Sequence, residues 1–421
     1  MAEKKFKQPI HADSRLFYGY IVIAASFLVF LIIYGMQFTF GVFLKPILSE
    51  FGWTRGMTSG AFSLSSVVSG FVSIPLGRLN DRFGPRIVLS ICGAFAGVGF
   101  LLMSLIGSIW QLYVFYGVIT AIGVSVWVPV MSTVARWFVK RRTTMSGIVA
   151  TGTGIGILIG SPVANGLISA FHWRSSYAIL GSVVLVTVIG IAQFLRRDAT
   201  QMGQVAYGEN EREEERPQRG GEVLSLRETV RIKQFWAIFG MLFCMGLCLH
   251  SIMAHLVAHI TDLGISAKNA ANVMAAVGGA SIVGKVVLGG LGDKIGNRNV
   301  LAVSWAIMVT GMSLLFVSRE VSRFYLFAAL FGLAYGGVIA QQSAVVGTIF
   351  GLVSHGAIFG AVSVGLYIGQ AIGPVFTGYI FDVTGSYQSA FFVDTFVSAV
   401  GLILTAFLNP KIIESKQRTI S

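Results

Sequence analysis

The chain has 421 residues, 54% of them hydrophobic and 12% charged, with 51 glycines, a mean hydropathy of +0.76 and a net charge of +13. Soluble domains carry about a quarter charged residues, and one soluble core of this length cannot hide so much apolar surface, whereas a bilayer can. The same numbers exclude disordered, collagen-like and disulfide-stapled classes.

Crossing a bilayer takes about 20 mainly apolar residues. Twelve such runs are predicted, at 17–44, 56–76, 86–107, 110–134, 144–168, 175–195, 234–260, 268–290, 299–317, 322–349, 355–380 and 387–409. The first follows Lys4, Lys5, Lys7 and Arg15 like a signal peptide. It is too long for one and lacks a small-residue cleavage site, so it is read as a retained helix. Cys92, Cys244 and Cys248 all lie in apolar runs and imply no disulfide framework. Between the sixth and seventh runs, Glu209-Asn-Glu-Arg-Glu-Glu-Glu-Arg216 is too hydrophilic to enter a membrane. The expected organisation is a six-helix bundle over 1–195, a cytoplasmic linker over 196–233, and a second bundle with its tail over 234–421.

Sorting the cations by loop fixes the orientation. With the N-terminus inside, 24 of the 31 Lys and Arg fall on the inner face and 6 on the outer, leaving Lys285 alone inside a span. By the positive-inside rule both termini are cytoplasmic. The basic balance is then topology plus attraction to anionic lipid, and nucleic acid is not expected as a partner.

The halves repeat each other. Gly77-Arg-Leu-Asn-Asp81-Arg82-Phe-Gly84-Pro-Arg86 follows the second run, and Gly289-Gly-Leu-Gly-Asp293-Lys294-Ile-Gly296-Asn-Arg298 follows the eighth. Both read G-x-x-x-D-[RK]-x-G-x-R. Gly156-x-x-x-Gly160 in the fifth run is matched by Gly369-x-x-x-Gly373 in the eleventh. Glycine lets helices approach closely. Asp81, beside Arg82 and Arg86 at a helix end, is expected to form charge pairs that make and break in a conformational switch. A duplicated six-helix unit is a known route to a transporter with its substrate at the midplane.

The doubled loop motif resembles that of the major facilitator superfamily. The resemblance implies an all-α, twelve-helix membrane fold with two pseudo-symmetric halves. Gly41-Val-Phe-Leu-Lys-Pro-Ile-Leu-Ser-Glu-Phe-Gly-Trp53, Ala135-Arg-Trp-Phe138 with Ser146-Gly147, Gln234-Phe-Trp236 and Gly385-Ser-Tyr387 narrow it. In order and spacing they resemble the oxalate/formate antiporter and bacterial monocarboxylate carrier group. That resemblance implies a small organic anion as substrate in the cytoplasmic (inner) membrane.

Lys285 is the most informative residue. An intramembrane lysine costs on the order of 3 kcal/mol and marks a functional site by default; the alternative is a side chain snorkelling to the interface. In the family this position is usually arginine and binds the substrate carboxylate. Lysine keeps the charge without the bidentate fork. The family's second cationic position matches Val362, which has no charge. One fixed cation balances one carboxylate, so a monocarboxylate is expected over a dicarboxylate. Matching of motifs further implies an aromatic site wall from Phe38, Trp127, Tyr335 and Phe359, with Thr153 at another wall position. Packing in the bundle is the competing role for each aromatic.

His250 falls near the midplane, with His255 and His259 four apart on one face. A metal site needs more convergent ligands, so no metal is expected. His250 is either a structural histidine or a substrate or proton group. Asp394 is the exceptional acid within a span, read as paired with a polar neighbour or facing water. Gln37, Gln341, Gln342 and Gln370 can bond between helices or to substrate. There is no P-loop, so direct ATP coupling, cofactors and enzymatic chemistry are not expected. The resulting expectation is a monomeric secondary transporter of lactate- or pyruvate-like acids, proton-coupled. Carboxylate exchange and export of larger compounds are the alternatives.

Overall fold

The computed structural model describes residues 17–138, 142–208, 226–350 and 355–408. The charged stretch 209–216 and the tail cations lie outside the described residues, as does the side chain of Asp293. What is described is almost wholly helical. Low dielectric leaves a spanning backbone no partner but itself, which helices supply.

In the first half, α1 is Gly19–Phe51, α2 Arg55–Phe83, α3 Pro85–Met103 and α4 Ile109–Trp137. A single helical stretch, Arg142–Ala192, follows, with non-helical geometry at His172. At about 1.5 Å per residue it is far too long for one crossing. The break makes it two helices, α5 (142–171) and α6 (173–192). His172 is the one non-glycine residue with positive φ among those described. There Trp173 Nε1 donates to Glu50 at 2.7 Å and Arg174 Nη2 pairs with Glu50 at 2.6 Å, tying the turn to the end of α1. The second half comprises α7 (Lys233–Asp262), α8 (Ala267–Ile295), α9 (Asn297–Val317), α10 (Val321–Phe350), α11 (His355–Thr384) and α12 (Gln388–Ala406).

The repeated sequences occupy equivalent places. A Cβ on Gly156 would sit 2.4 Å from the Leu31 carbonyl, and one on Gly160 2.6 Å from the Gly35 carbonyl. A Cβ on Gly369 would sit 2.1 Å from the Phe243 carbonyl, and one on Gly373 2.4 Å from the Leu247 carbonyl. The paired glycines thus pack α5 onto the backbone of α1 and α11 onto that of α7.

The loop motif is equally symmetric. Gly84 and Gly296 have φ of 82° and 86° and end α2 and α8 where an L side chain is strained. Arg86 Nε donates to Gln193 Oε1 at 2.7 Å, linking α3 to the end of α6. Arg298 Nη2 donates to the Ala406 carbonyl at 3.1 Å, linking α9 to the end of α12. Asp81 departs from the expectation that it pairs with Arg82 or Arg86. Its ion pair is with Arg136, at the end of α4. Arg82 instead lies over the ring of its neighbour Phe83.

Gly156→Ala is expected to lower the thermal unfolding temperature in detergent, at a cost of about 1–3 kcal/mol from overpacking. Gly166→Ala, where a Cβ meets nothing within 4 Å, is expected to leave stability unchanged or raise it by up to about 1 kcal/mol through helix propensity. Equal melting curves for the two variants would contradict the backbone-on-backbone packing.

Candidate functional site

A cavity of about 910 Å³ lies between the halves. It reaches the loop-motif end of the bundle at Gly77, Arg78 and Asp81, and runs inward to Phe38, Leu249 and His250. Two helix irregularities shape its wall. The helical run of α1 is interrupted at Phe38 and Thr39, where Thr39 N donates to the Met36 carbonyl in a tightened turn. In α4 an eight-residue π segment, Tyr113–Thr120, is followed by a break at Ser125, which has ψ of 41°. Trp127 opens the second part of α4 and stacks on Phe30 at 5.1 Å. Phe38 and Trp127 thus reach the cavity from helix discontinuities, a feature common at functional sites. Hydropathy carried no signal for either break.

Six of the seven expected substrate residues line this cavity: Phe38, Trp127, Thr153, His250, Tyr335 and Phe359. Lys285 does not form part of the wall. It is 8% exposed, and its Nζ donates to Thr153 Oγ1 at 2.6 Å and to the Ala150 carbonyl at 3.1 Å. It also lies 5.3 Å from the centre of the Tyr335 ring. The ammonium does not snorkel to an interface; it crosses from α8 to α5 and ties the halves together behind Thr153 and Tyr335. Among the described residues it has no carboxylate partner. Its charge is held by neutral oxygens and a π face, an arrangement that leaves room for an anion.

The glycines around Lys285 explain its position. A Cβ on Gly336 would sit 2.2 Å from the Ser281 carbonyl, and one on Gly284 would sit 2.2 Å from the Leu333 carbonyl. Backbones of α8 and α10 therefore touch, which sets Tyr335 beside Lys285. Gly278 and Gly154 bring α8 equally close to α5. Val362, at the family's second cationic position, is fully buried.

The end opposite the loop motif is closed. Arg55 at the start of α2 pairs with Asp262 at the end of α7 at 2.6 Å, and its guanidinium lies 3.7 Å from the Phe381 ring centre. Lys45 pairs with the same Asp262 at 3.1 Å. Asp382 accepts from the Arg55 and Gly56 backbone N–H at 2.8 and 2.7 Å, so α11 caps α2 with a carboxylate at its positive end. Beneath this, Ser59 Oγ donates to the Pro374 carbonyl at 2.9 Å. His255 bridges the same carbonyl at 2.8 Å and the Tyr387 hydroxyl at 3.1 Å, and His259 packs its ring on Tyr387 and Phe391. These two histidines belong to the closure, whereas His250 faces the cavity. Sequence reading did not find the clamp, because its members are scattered through the chain.

Among the other polar candidates, Gln341 donates to the Leu288 carbonyl at 3.0 Å and joins α10 to α8. Gln37, Gln342 and Gln370 line the cavity. Asp394 does not face water. It is fully buried, with Cys248 Sγ 3.4 Å from its main-chain oxygen.

Residues 26–284 and 256–419 match the Major Facilitator Superfamily, almost the whole chain. The chain belongs to the Major Facilitator Superfamily. Within it the chain is 28% identical over 399 residues to Monocarboxylate transporter 13 of Rattus norvegicus, covering 89% of this chain and 85% of that one. It is 25% identical over 409 residues to the Oxalate:formate antiporter of Oxalobacter formigenes, covering 93% and 91%. A bacterial homolog of the human lysosomal transporter Spinster, solved in an inward-facing and occupied conformation, has the same fold. Its TM-score is 0.70 at 15% identity, covering 94% of this chain and 95% of that one. The protein is a facilitator-fold transporter, and the duplicated loop motif and the central cavity are features of that fold.

The closure predicts a labelling pattern. With Ser66→Cys lining the cavity, a membrane-impermeant thiol reagent applied from the clamp end should react several-fold faster in an Arg55→Ala background than in the parent. Unchanged labelling would show that Arg55 does not hold that end shut.

Proposed function

We propose that the chain carries monocarboxylates of the lactate or pyruvate type across the cytoplasmic membrane by alternating access. The observation that supports this reading is the ammonium of Lys285 at 2.6 Å from Thr153, beside Tyr335 and without a carboxylate partner among the described residues. A substrate carboxylate replaces the two neutral acceptors and pairs with the cation, while its apolar part rests on Tyr335, Trp127, Phe38 and Phe359. With Val362 at the second position, a dicarboxylate brings a second buried charge without a partner, which costs several kcal/mol. His250 serves as a further polar contact of the site.

The 24-to-6 split of Lys and Arg supports cytoplasmic termini, two bundles and a linker over 196–233. On that orientation the cavity opens to the cytoplasm and the Arg55 clamp closes the outer face. The motif residues, with Asp81 on Arg136 and Arg86 on Gln193, form the switch at the cytoplasmic side. The working unit is the monomer, since the path lies within one chain.

Proton symport is the preferred coupling, with Lys285 and His250 as the exchangeable groups. Exchange of one carboxylate for another is the second reading. It is favoured because no acid pairs with Lys285 among the described residues. Proteoliposomes under an imposed pH gradient, with no exchangeable anion inside, separate the two: uptake supports symport, and uptake only after preloading supports exchange.

Lys285→Ala is expected to abolish uptake and Lys285→Arg to retain part of it. In competition assays monocarboxylates should exceed matched dicarboxylates by about a hundredfold, the equivalent of about 3 kcal/mol for one partner-less charge. Oxalate outcompeting every monocarboxylate, or normal transport by Lys285→Ala, would overturn the single-cation reading.

A further inference from the structure

A lactate-sized acid bound at Lys285 leaves most of a 910 Å³ cavity unused, a volume of the size that holds ligands many atoms longer. The closed end of that cavity is not merely apolar. Gln37 on α1 and His250 on α7 both line it, 8% and 3% exposed. Gln37 Oε1 and His250 Nδ1 have no hydrogen-bond partner among the described residues. The Gly246 carbonyl, one turn back on α7, faces the histidine ring without completing a bond to Nδ1. Both atoms are sealed from solvent at the cavity's end; buried polar groups are normally satisfied, so each can pair with a ligand's hydroxyl or carbonyl by turning its side chain into the cavity.

Their surroundings hold them in place. The His250 ring packs 5.9 Å from Phe38 and 5.5 Å from Phe62. The Gln37 main chain is fixed by the Tyr116 hydroxyl, which donates to its carbonyl at 3.0 Å. Just beyond, a Cβ on Gly41 would sit 2.5 Å from the Met253 carbonyl, so α1 and α7 touch and seal the cavity. The pair therefore forms a polar end wall. Lys285 stands elsewhere, behind Thr153 and Tyr335 on the α5 and α10 side. Tyr34 and Phe38 stack at 6.2 Å, and Tyr34 meets Trp127 at 6.3 Å, giving an aromatic surface along the same cavity.

We infer that Gln37 and His250 form a second, hydrogen-bonding subsite, and that the preferred substrates are monocarboxylates with an apolar body ending in a hydroxyl or carbonyl group. This rests on the carboxylate reading of Lys285 and extends it. The carboxylate takes the cation, the body lies on the aromatic surface, and the terminal group bonds the amide and imidazole. Short acids occupy the Lys285 end alone. An unsubstituted alkanoate long enough to reach the end wall leaves both polar groups unpaired.

The test is competition against transport, in proteoliposomes of the full chain, by n-alkanoates and their ω-hydroxy counterparts of increasing length. At the length that reaches the end wall, the hydroxy acid is expected to compete about tenfold better than its alkanoate, the worth of one to two neutral hydrogen bonds. At shorter lengths the pair should be equal or the alkanoate better. Gln37→Leu and His250→Leu, singly, should shrink the difference, read as the ratio of hydroxy-acid to alkanoate competition within each variant so that a change in the variant's own transport rate cancels. Thermal shift of the purified variants confirms that they are folded. If the alkanoate competes better at every length in the parent protein, the end wall is satisfied by water alone and the subsite is overturned. The same holds if the hydroxyl advantage survives both substitutions. Competition that depends on Lys285 but ignores the hydroxyl removes only this inference. If carboxylates of every length fail to compete, both readings fall.

Discussion

Among the described residues Lys285 is a buried ammonium with no carboxylate partner, and the rest of the molecule is arranged around that constraint. Lys285 cannot lie in hydrocarbon, so it faces the seam between the halves. There the Ala150 carbonyl and the Thr153 hydroxyl from the opposite half accept its protons. That contact requires α8 to approach α5 closely, which the facing glycines Gly154 and Gly278 permit. It also requires α10 to lie against α8, which Gly284, Gly332 and Gly336 permit. Some of the glycines are therefore placed where backbones must touch for the charge to be held between the two halves.

The bond from Lys285 to α5 also bears on how occupancy and motion are coupled. The cation is a strut between the halves, anchored to neutral oxygens. On the proposed reading an anion that takes the ammonium competes with that strut, so that binding acts differentially on how the halves are joined, as any ligand-driven change of state requires. At the far end, Arg55, Asp262 and Asp382 hold the halves together with charge, and Ser59 adds a neutral hydrogen bond to the Pro374 carbonyl, which His255 and Tyr387 brace from within the second half. The molecule is thus latched at its clamp end and tied at its middle, and open at the loop-motif end.

Symmetry between the halves extends beyond the sequence repeat to what each repeated residue does. Gly84 and Gly296 make the same left-handed turn, and Arg86 and Arg298 both reach from the start of one helix to the end of another. The cavity departs from this symmetry. The interruptions at Phe38 and Ser125 belong to the first half, while the buried cation behind the wall, Lys285, comes from the second. The repeated features build the scaffold, and the proposed substrate site lies in these departures.

Most of the scaffold was legible in the sequence. Hydropathy placed the spans, because a run of about 20 apolar residues has few other uses. The doubled motif revealed two halves, and the lone Lys285 stood out, because a charge among apolar residues is visible without coordinates. Even the break between α5 and α6 lay where composition turned polar at 172–174. What the tertiary structure decided was partnership. Asp81 chose Arg136, 55 residues away, over the arginines beside it. Asp394, read as paired or wet, proved sealed, and Lys285 proved to stand behind the aromatic wall. The interruptions that aim Phe38 and Trp127 at the cavity carried no local signature. The reason is physical: apolar length and glycine spacing are properties of one segment, whereas the rotation of each helix about its axis depends on how distant segments pack against it. That rotation selects which of many aromatic and polar side chains meets the cavity.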